Sequence, residues 1–106
     1  MLSRRARVTR VEIEKPGGRR VSFRFGSLRI VGGGDSRGAV VASKKRFKTS
    51  VIRHRARRRM YAALRECFKE FGKAGVVIAY PDPSALTVRF AELREALRAA
   101  LAQQRS

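Results

Sequence analysis

Residues 39–80 read AVVASKKRFKTSVIRHRARRRMYAALRECFKEFGKAGVVIAY, and three signals in this stretch decide the fold. Ala39 to Ala42 is a short apolar strand. From Ile52 onward, Ile52, Ala56, Met60, Ala63, Cys67 and Phe71 recur at intervals of three and four, joined by Leu64 and Phe68. That spacing is one stripe along an amphipathic helix that ends near Gly72. Gly75 to Tyr80 is apolar throughout and rich in β-branched residues, as in a strand buried on both faces by parallel or central pairing. A strand, a helix and a second strand in one sheet require a parallel crossover, with the helix laid over one face of the sheet.

Upstream the period changes to two. Val21, Phe23 and Phe25 alternate with Ser22 and Arg24, and beyond a bend at Gly26, Leu28 and Ile30 alternate with Arg29. Each run is a strand with one buried face and one cationic face. Phe23 and Phe25 share the period of Val21 and are assigned to the core. Gly32-Gly33-Gly34-Asp35-Ser36-Arg37-Gly38 lacks the Lys-Ser/Thr that closes a phosphate-cradling loop, so it is read as a hairpin connection in an antiparallel meander. Thr9-Arg10-Val11-Glu12 matches a capping box and starts a short helix that Pro16-Gly17-Gly18 ends. Residues 1–8 form a flexible basic arm. Downstream, Pro81-Asp82-Pro83 is a loop, and Phe90, Leu93, Leu97 and Leu101 mark a closing amphipathic helix. The expected order is helix, three strands, helix, strand, helix. This is an α/β chain forming an α+β sandwich, a mixed sheet under one helical layer, with residues 1–106 as a single domain.

The 106 residues carry 26 Lys and Arg against 8 Asp and Glu, a formal charge of +18. A compact chain so charged repels itself unless a polyanion neutralises it, which makes nucleic acid the expected partner. The 43% hydrophobic content is enough for a small core. Cys67, the lone cysteine, excludes an internal disulfide or a cysteine zinc site and reads, like Met60, as core. The longest apolar run, residues 74–80, falls far short of the ~20 residues that span a bilayer, so no membrane partner is expected. The start of the chain lacks the apolar middle of a signal peptide, and the expected location is the cytoplasm.

Nine of the sixteen residues 44–59 are Lys or Arg, and none is acidic. On the long helix His54, Arg57, Arg58, Tyr61 and Arg65 share a face away from the core stripe, with Arg53, Arg55 and Arg59 on the flanks and Lys44, Lys45 and Lys48 just before it. A merely solvated face would mix charges, because like charges at i, i+4 cost about 0.2 to 0.5 kcal/mol per pair. Cations near a helix N-terminus also oppose the helix dipole. Local sequence that works against its own helix marks a functional surface, and phosphates relieve the conflict. Arginine predominates in the cluster, which suits bidentate phosphate contact and base stacking. Outward Ser22, Arg24 and Arg29 beside the short first helix make a cationic trough better suited to single-stranded RNA than to duplex DNA, and no helix-turn-helix, zinc-finger or basic-zipper pattern offers a DNA alternative.

These residues resemble a known family. Ala42-Ser43-Lys44-Lys45, Val51 to Met60, Val76 to Ala79 and Phe90 to Leu97 are similar, in order and spacing, to the protein subunit of bacterial ribonuclease P. The family's Arg-Asn-Arg signature followed by two basic residues corresponds to Arg53, His54, Arg55, Arg57 and Arg58, with histidine in place of asparagine. Tyr61 stands where many members have arginine. The resemblance implies a left-handed crossover between the third and fourth strands. It also implies a catalytic RNA partner that removes the 5′ leader of precursor tRNA with Mg2+, the protein itself supplying no catalytic residue, metal ligand or cofactor. The long helix would face that RNA, and a sheet cleft with Ile13, Arg24 and Arg29 would hold the leader.

Two other classes fit the size and charge. A protein-only nuclease needs a paired acid and base or clustered carboxylates, yet His54 has no visible partner and the eight acids are scattered. A small ribosomal protein would bind RNA without affecting tRNA ends.

Overall fold

The computed structural model describes residues 18–31, 36–71 and 75–105. The basic arm, the short helix expected from Thr9 and the candidate Ile13 lie outside the described residues.

β1 (Arg19–Phe23) and β2 (Gly26–Val31) form a tight hairpin in which Val21 faces Leu28 and Phe23 faces Gly26. Gly26 sits at φ +148°, where a Cβ would lie 2.3 Å from the carbonyl oxygen of Tyr80. The bend expected at Gly26 is therefore this hairpin turn, where the backbone of the third strand in space passes too close for any side chain. β3 (Arg37–Val40) leads through the helix α1 (Ser50–Glu70) to β4 (Val76–Pro81). β4 pairs antiparallel with β2 and parallel with β3, giving a four-stranded mixed sheet in the order β1-β2-β4-β3.

This order corrects the expected meander. β3 is not the hairpin partner of β2, because β4 stands between them. The reason is burial: Val77, Ile78 and Ala79 are all fully buried, and only an internal position covers both faces of so apolar a strand. The crossover and the mixed sheet agree with the sequence reading.

α1 begins at Thr49, whose hydroxyl accepts a hydrogen bond from the Ile52 amide at 3.3 Å, and it ends where the Phe71 amide donates to Cys67 at 2.8 Å. Its stripe buries Ala56, Met60, Ala63, Leu64, Cys67 and Phe71, with Ile52 and Phe68 half-buried. After a 3-10 turn, η1 (Pro83–Leu86), the helix α2 (Phe90–Arg105) contributes Leu93, Leu97, Ala100 and Leu101. Both helices meet the sheet face bearing Leu28, Ile30, Val40, Val77 and Ala79. Phe25 joins this core and the half-buried Phe23 packs against it, as their period implied. On the opposite sheet face Ala39 and Ile78 form a second, smaller cluster with Val41, Val76 and Tyr80. Cys67 is 2% exposed, and burial, with Glu70 adding, pushes its thiol up to about 11. The thiol stays protonated at neutral pH, in keeping with a packing role.

Candidate nucleic-acid interface

The first sixteen residues of α1, Ser50 to Arg65, contain six arginines and no acid, and the acids Glu66 and Glu70 enter only at its end. His54, Arg55, Arg57, Arg58 and Arg65 are exposed, as are Lys44, Lys45 and Lys48 in the preceding loop. The four arginines at helical spacing and the three lysines of the loop are exposed cations here, with His54 beside them.

Three other candidates have different surroundings. Arg53 and Arg59 stand three residues either side of the buried Ala56, so both border the packed stripe and are half-buried. Arg53 Nη1 donates to the Phe47 carbonyl at 2.9 Å. Arg59 donates from Nε to the Ala85 carbonyl at 2.9 Å and from Nη2 to the carbonyl of Val88, holding η1 and the following turn against the helix. The Tyr61 ring packs against the core, and its hydroxyl accepts from the Val40 amide at 3.3 Å, tying α1 to the end of β3. Arg59 and Tyr61 thus serve the fold first. Arg59→Ala leaves two carbonyls without their donor and is expected to lower stability by about 1 to 3 kcal/mol in urea melts. The same variant should leave the salt dependence of nucleic-acid binding as in the wild type.

The loop is itself built. Phe47 is fully buried, its amide donates to Ser43 at 2.9 Å, Ser43 Oγ accepts from the Arg46 amide at 3.3 Å, and Arg46 is ion-paired with Asp82. The exposed lysines are carried on this anchored turn.

The trough expected from Ser22, Arg24 and Arg29 is not one site. Arg29 lies on the outer sheet face, the one opposite α1 and α2, in register with Arg20 on β1 and Ile78 on β4. Arg24 is on the hairpin turn, 5.3 Å from the centre of the Phe25 ring, beside a groove between the β1 edge and α2 that includes Glu92 and Glu95. Alternation fails for Arg24 because strand geometry stops at Phe23. The outer face instead adds Arg20, whose guanidinium lies 5.9 Å from the Tyr80 ring centre, with Ser27 opposite Tyr80. Sequence reasoning missed Arg20 and Tyr80, although their parity with Ser22 and Ile78 was the available signal.

Of the described acids, Asp82 pairs with Arg46 in the loop before α1, and Glu66, Glu70 and Glu95 gather toward the other end of the helix. Glu66 pairs with Lys69 at 3.2 Å, and Arg98 binds Glu95 through two nitrogens and approaches Glu70 at 3.8 Å. The Arg98 guanidinium holds the Glu95 carboxyl below the usual carboxylate range. The molecule is therefore polarised along α1, strongly cationic at its start and mixed in sign at its end. Among the described residues no helix is long and apolar enough to cross a membrane.

The family model for ribonuclease P matches residues 12–105. No curated protein matches the chain. That match spans the hairpin, the crossover, the arginine-bearing helix and α2 together, and it places this chain in the ribonuclease P protein family.

Proposed function

We propose that the chain is the RNA-binding component of a ribonuclease P ribonucleoprotein and assists a catalytic RNA in endonucleolytic removal of the 5′ leader from precursor tRNA in the cytoplasm. The observation that carries this reading is the exposed face of α1, cationic from Arg55 to Arg65 without one acid, in a member of this family. That face and Lys44, Lys45 and Lys48 meet the phosphates of the catalytic RNA. The outer sheet face, with Arg20, Arg29 and Tyr80, offers charge and one aromatic plane to a single-stranded leader. The protein's contribution is electrostatic: it neutralises phosphates so that two polyanions can approach.

Magnesium, in this reading, is held by the RNA. Among the described residues no three His, Cys, Asp or Glu side chains gather where they could hold a metal ion. The protein supports the chemistry by positioning substrate and lowering repulsion.

The test assays precursor tRNA cleavage at low magnesium with protein alone, with ribonuclease P RNA alone, and with both. Strong stimulation only in the combined reaction is expected. Cleavage by the protein alone would overturn the reading in favour of an intrinsic nuclease. Binding without stimulation would overturn it in favour of a structural RNA-binding protein.

A further inference from the structure

We propose that Arg53 is a positioning residue, which clamps the Ser43–Thr49 loop to the start of α1 so that the loop lysines and the helix arginines form one surface before RNA arrives. This inference rests on the proposed reading of α1 as the RNA face.

The loop carries Lys44, Lys45, Arg46 and Lys48, and it adjoins a helix start carrying Arg55, Arg57 and Arg58. Like charges this close repel, so an untethered loop would swing away from the helix. Besides the turn's own bonds to Ser43, two contacts on opposite sides of Phe47 tie the loop to other elements and oppose that motion. On one side Arg46 is ion-paired with Asp82, just beyond β4. On the other, Arg53 Nη1 reaches back to the Phe47 carbonyl at 2.9 Å in a half-buried setting. The fully buried Phe47 ring supplies the anchor, but a ring alone does not set the path of the backbone on either side of it. The bond from Arg53 does so, because it comes from the first full turn of α1 and fixes the last residues before the cap. Lys44, Lys45 and Lys48 then stay exposed on a turn already ordered, and RNA binding does not have to freeze it.

A direct phosphate contact and a clamp make different predictions. A contact acts independently of the loop. A clamp acts through it, so that removing the clamp should remove most of what the lysines contribute. The experiment compares the wild type, Arg53→Ala, the triple variant Lys44→Ala/Lys45→Ala/Lys48→Ala, and their combination, titrating ribonuclease P RNA over a range of salt. If the lysines each meet a phosphate, the triple variant should flatten the slope of log affinity against log salt by about 2 units in the wild-type background. In the Arg53→Ala background the same triple change should cost less than about half as much, the non-additivity expected of coupled residues. Without RNA, a lysine-specific protease should cut Arg53→Ala within residues 44–48 about tenfold faster than the wild type, as expected when local opening becomes easier. The melting transition of the rest of the chain should stay in place. Arg53→Lys, which can still donate to the Phe47 carbonyl, should restore protease resistance, and Arg53→Met, which keeps the half-buried stem but has no donor, replaces Arg53→Ala if that variant fails to fold. Additive losses in the binding cycle, or unchanged proteolysis, would overturn the proposal. If the wild type ignores RNA, the functional reading fails, whereas the protease comparison still decides whether the clamp exists.

Discussion

Replacing Arg57 and Arg58 together by alanine is expected to weaken RNA binding by roughly tenfold or more while leaving the fold slightly more stable, two effects of opposite sign from one change. Both side chains are exposed, so no packing is lost. Their loss also removes the like-charge spacings Arg53 to Arg57 and Arg55 to Arg58, each costing about 0.2 to 0.5 kcal/mol in an isolated helix. The binding loss should carry an electrostatic signature. Each phosphate contact contributes about 0.7 to 0.9 to the slope of log affinity against log salt, so the pair should flatten it by about 1 to 2 units. Affinity titrations at several salt concentrations measure the slope, and thermal melts measure stability. An unchanged slope would take this helix face out of the interface, whatever the family.

Gly26→Ala is expected to be the most damaging addition of a single methyl group to the hairpin. At φ +148° an L-residue is strained by about 1 to 3 kcal/mol, and here the new Cβ would also stand 2.3 Å from the Tyr80 carbonyl oxygen and 2.9 Å from Pro81 Cα. Those are backbone atoms of β4, the central strand, so relief requires moving β2 away from β4 at the end where Gly26 pairs with Pro81. The Asp82 amide donates to Phe25 at 2.8 Å across the same junction and would be disturbed with it. A loss of at least about 3 kcal/mol is expected, which for a domain of this size lowers the melting midpoint by more than about 10 °C. A shift of under about 2 °C would mean that the strands do not approach as closely as described.

These two positions differ in how readily the sequence disclosed them. That Arg57 and Arg58 face away from the core follows from helical spacing against the stripe of Ala56, Met60 and Ala63, all local information. Gly26 could be recognised as a bend. That β4 presses against it could not, because residues 80 and 81 approach only once the sheet is assembled. Arg53 and Arg59 show the same limit within one helix. Periodicity placed both on flanks, but their acceptors at residues 47, 85 and 88 lie on other segments, so nothing within the helix reveals which arginines fold inward. Tyr61 shares the spacing of the cationic face, but no local signal shows that its hydroxyl accepts from the Val40 amide.

What the chain determined by itself was the type of each described strand and α-helix, though not the 3-10 turn η1 or the end of β4 at Pro81, together with the face each buries, the parallel crossover and the excess of positive charge at the start of α1. These follow from short-range periodicity and composition, which every local window contains. Tertiary structure alone decided that β4 enters between β2 and β3, that Arg24 and Arg29 serve different surfaces, that Arg20 lies over Tyr80, and which arginines are held by carbonyls. Those facts depend on pairing between segments far apart in sequence. Such pairing is selected by burial of the whole sheet, a property that no single stretch possesses.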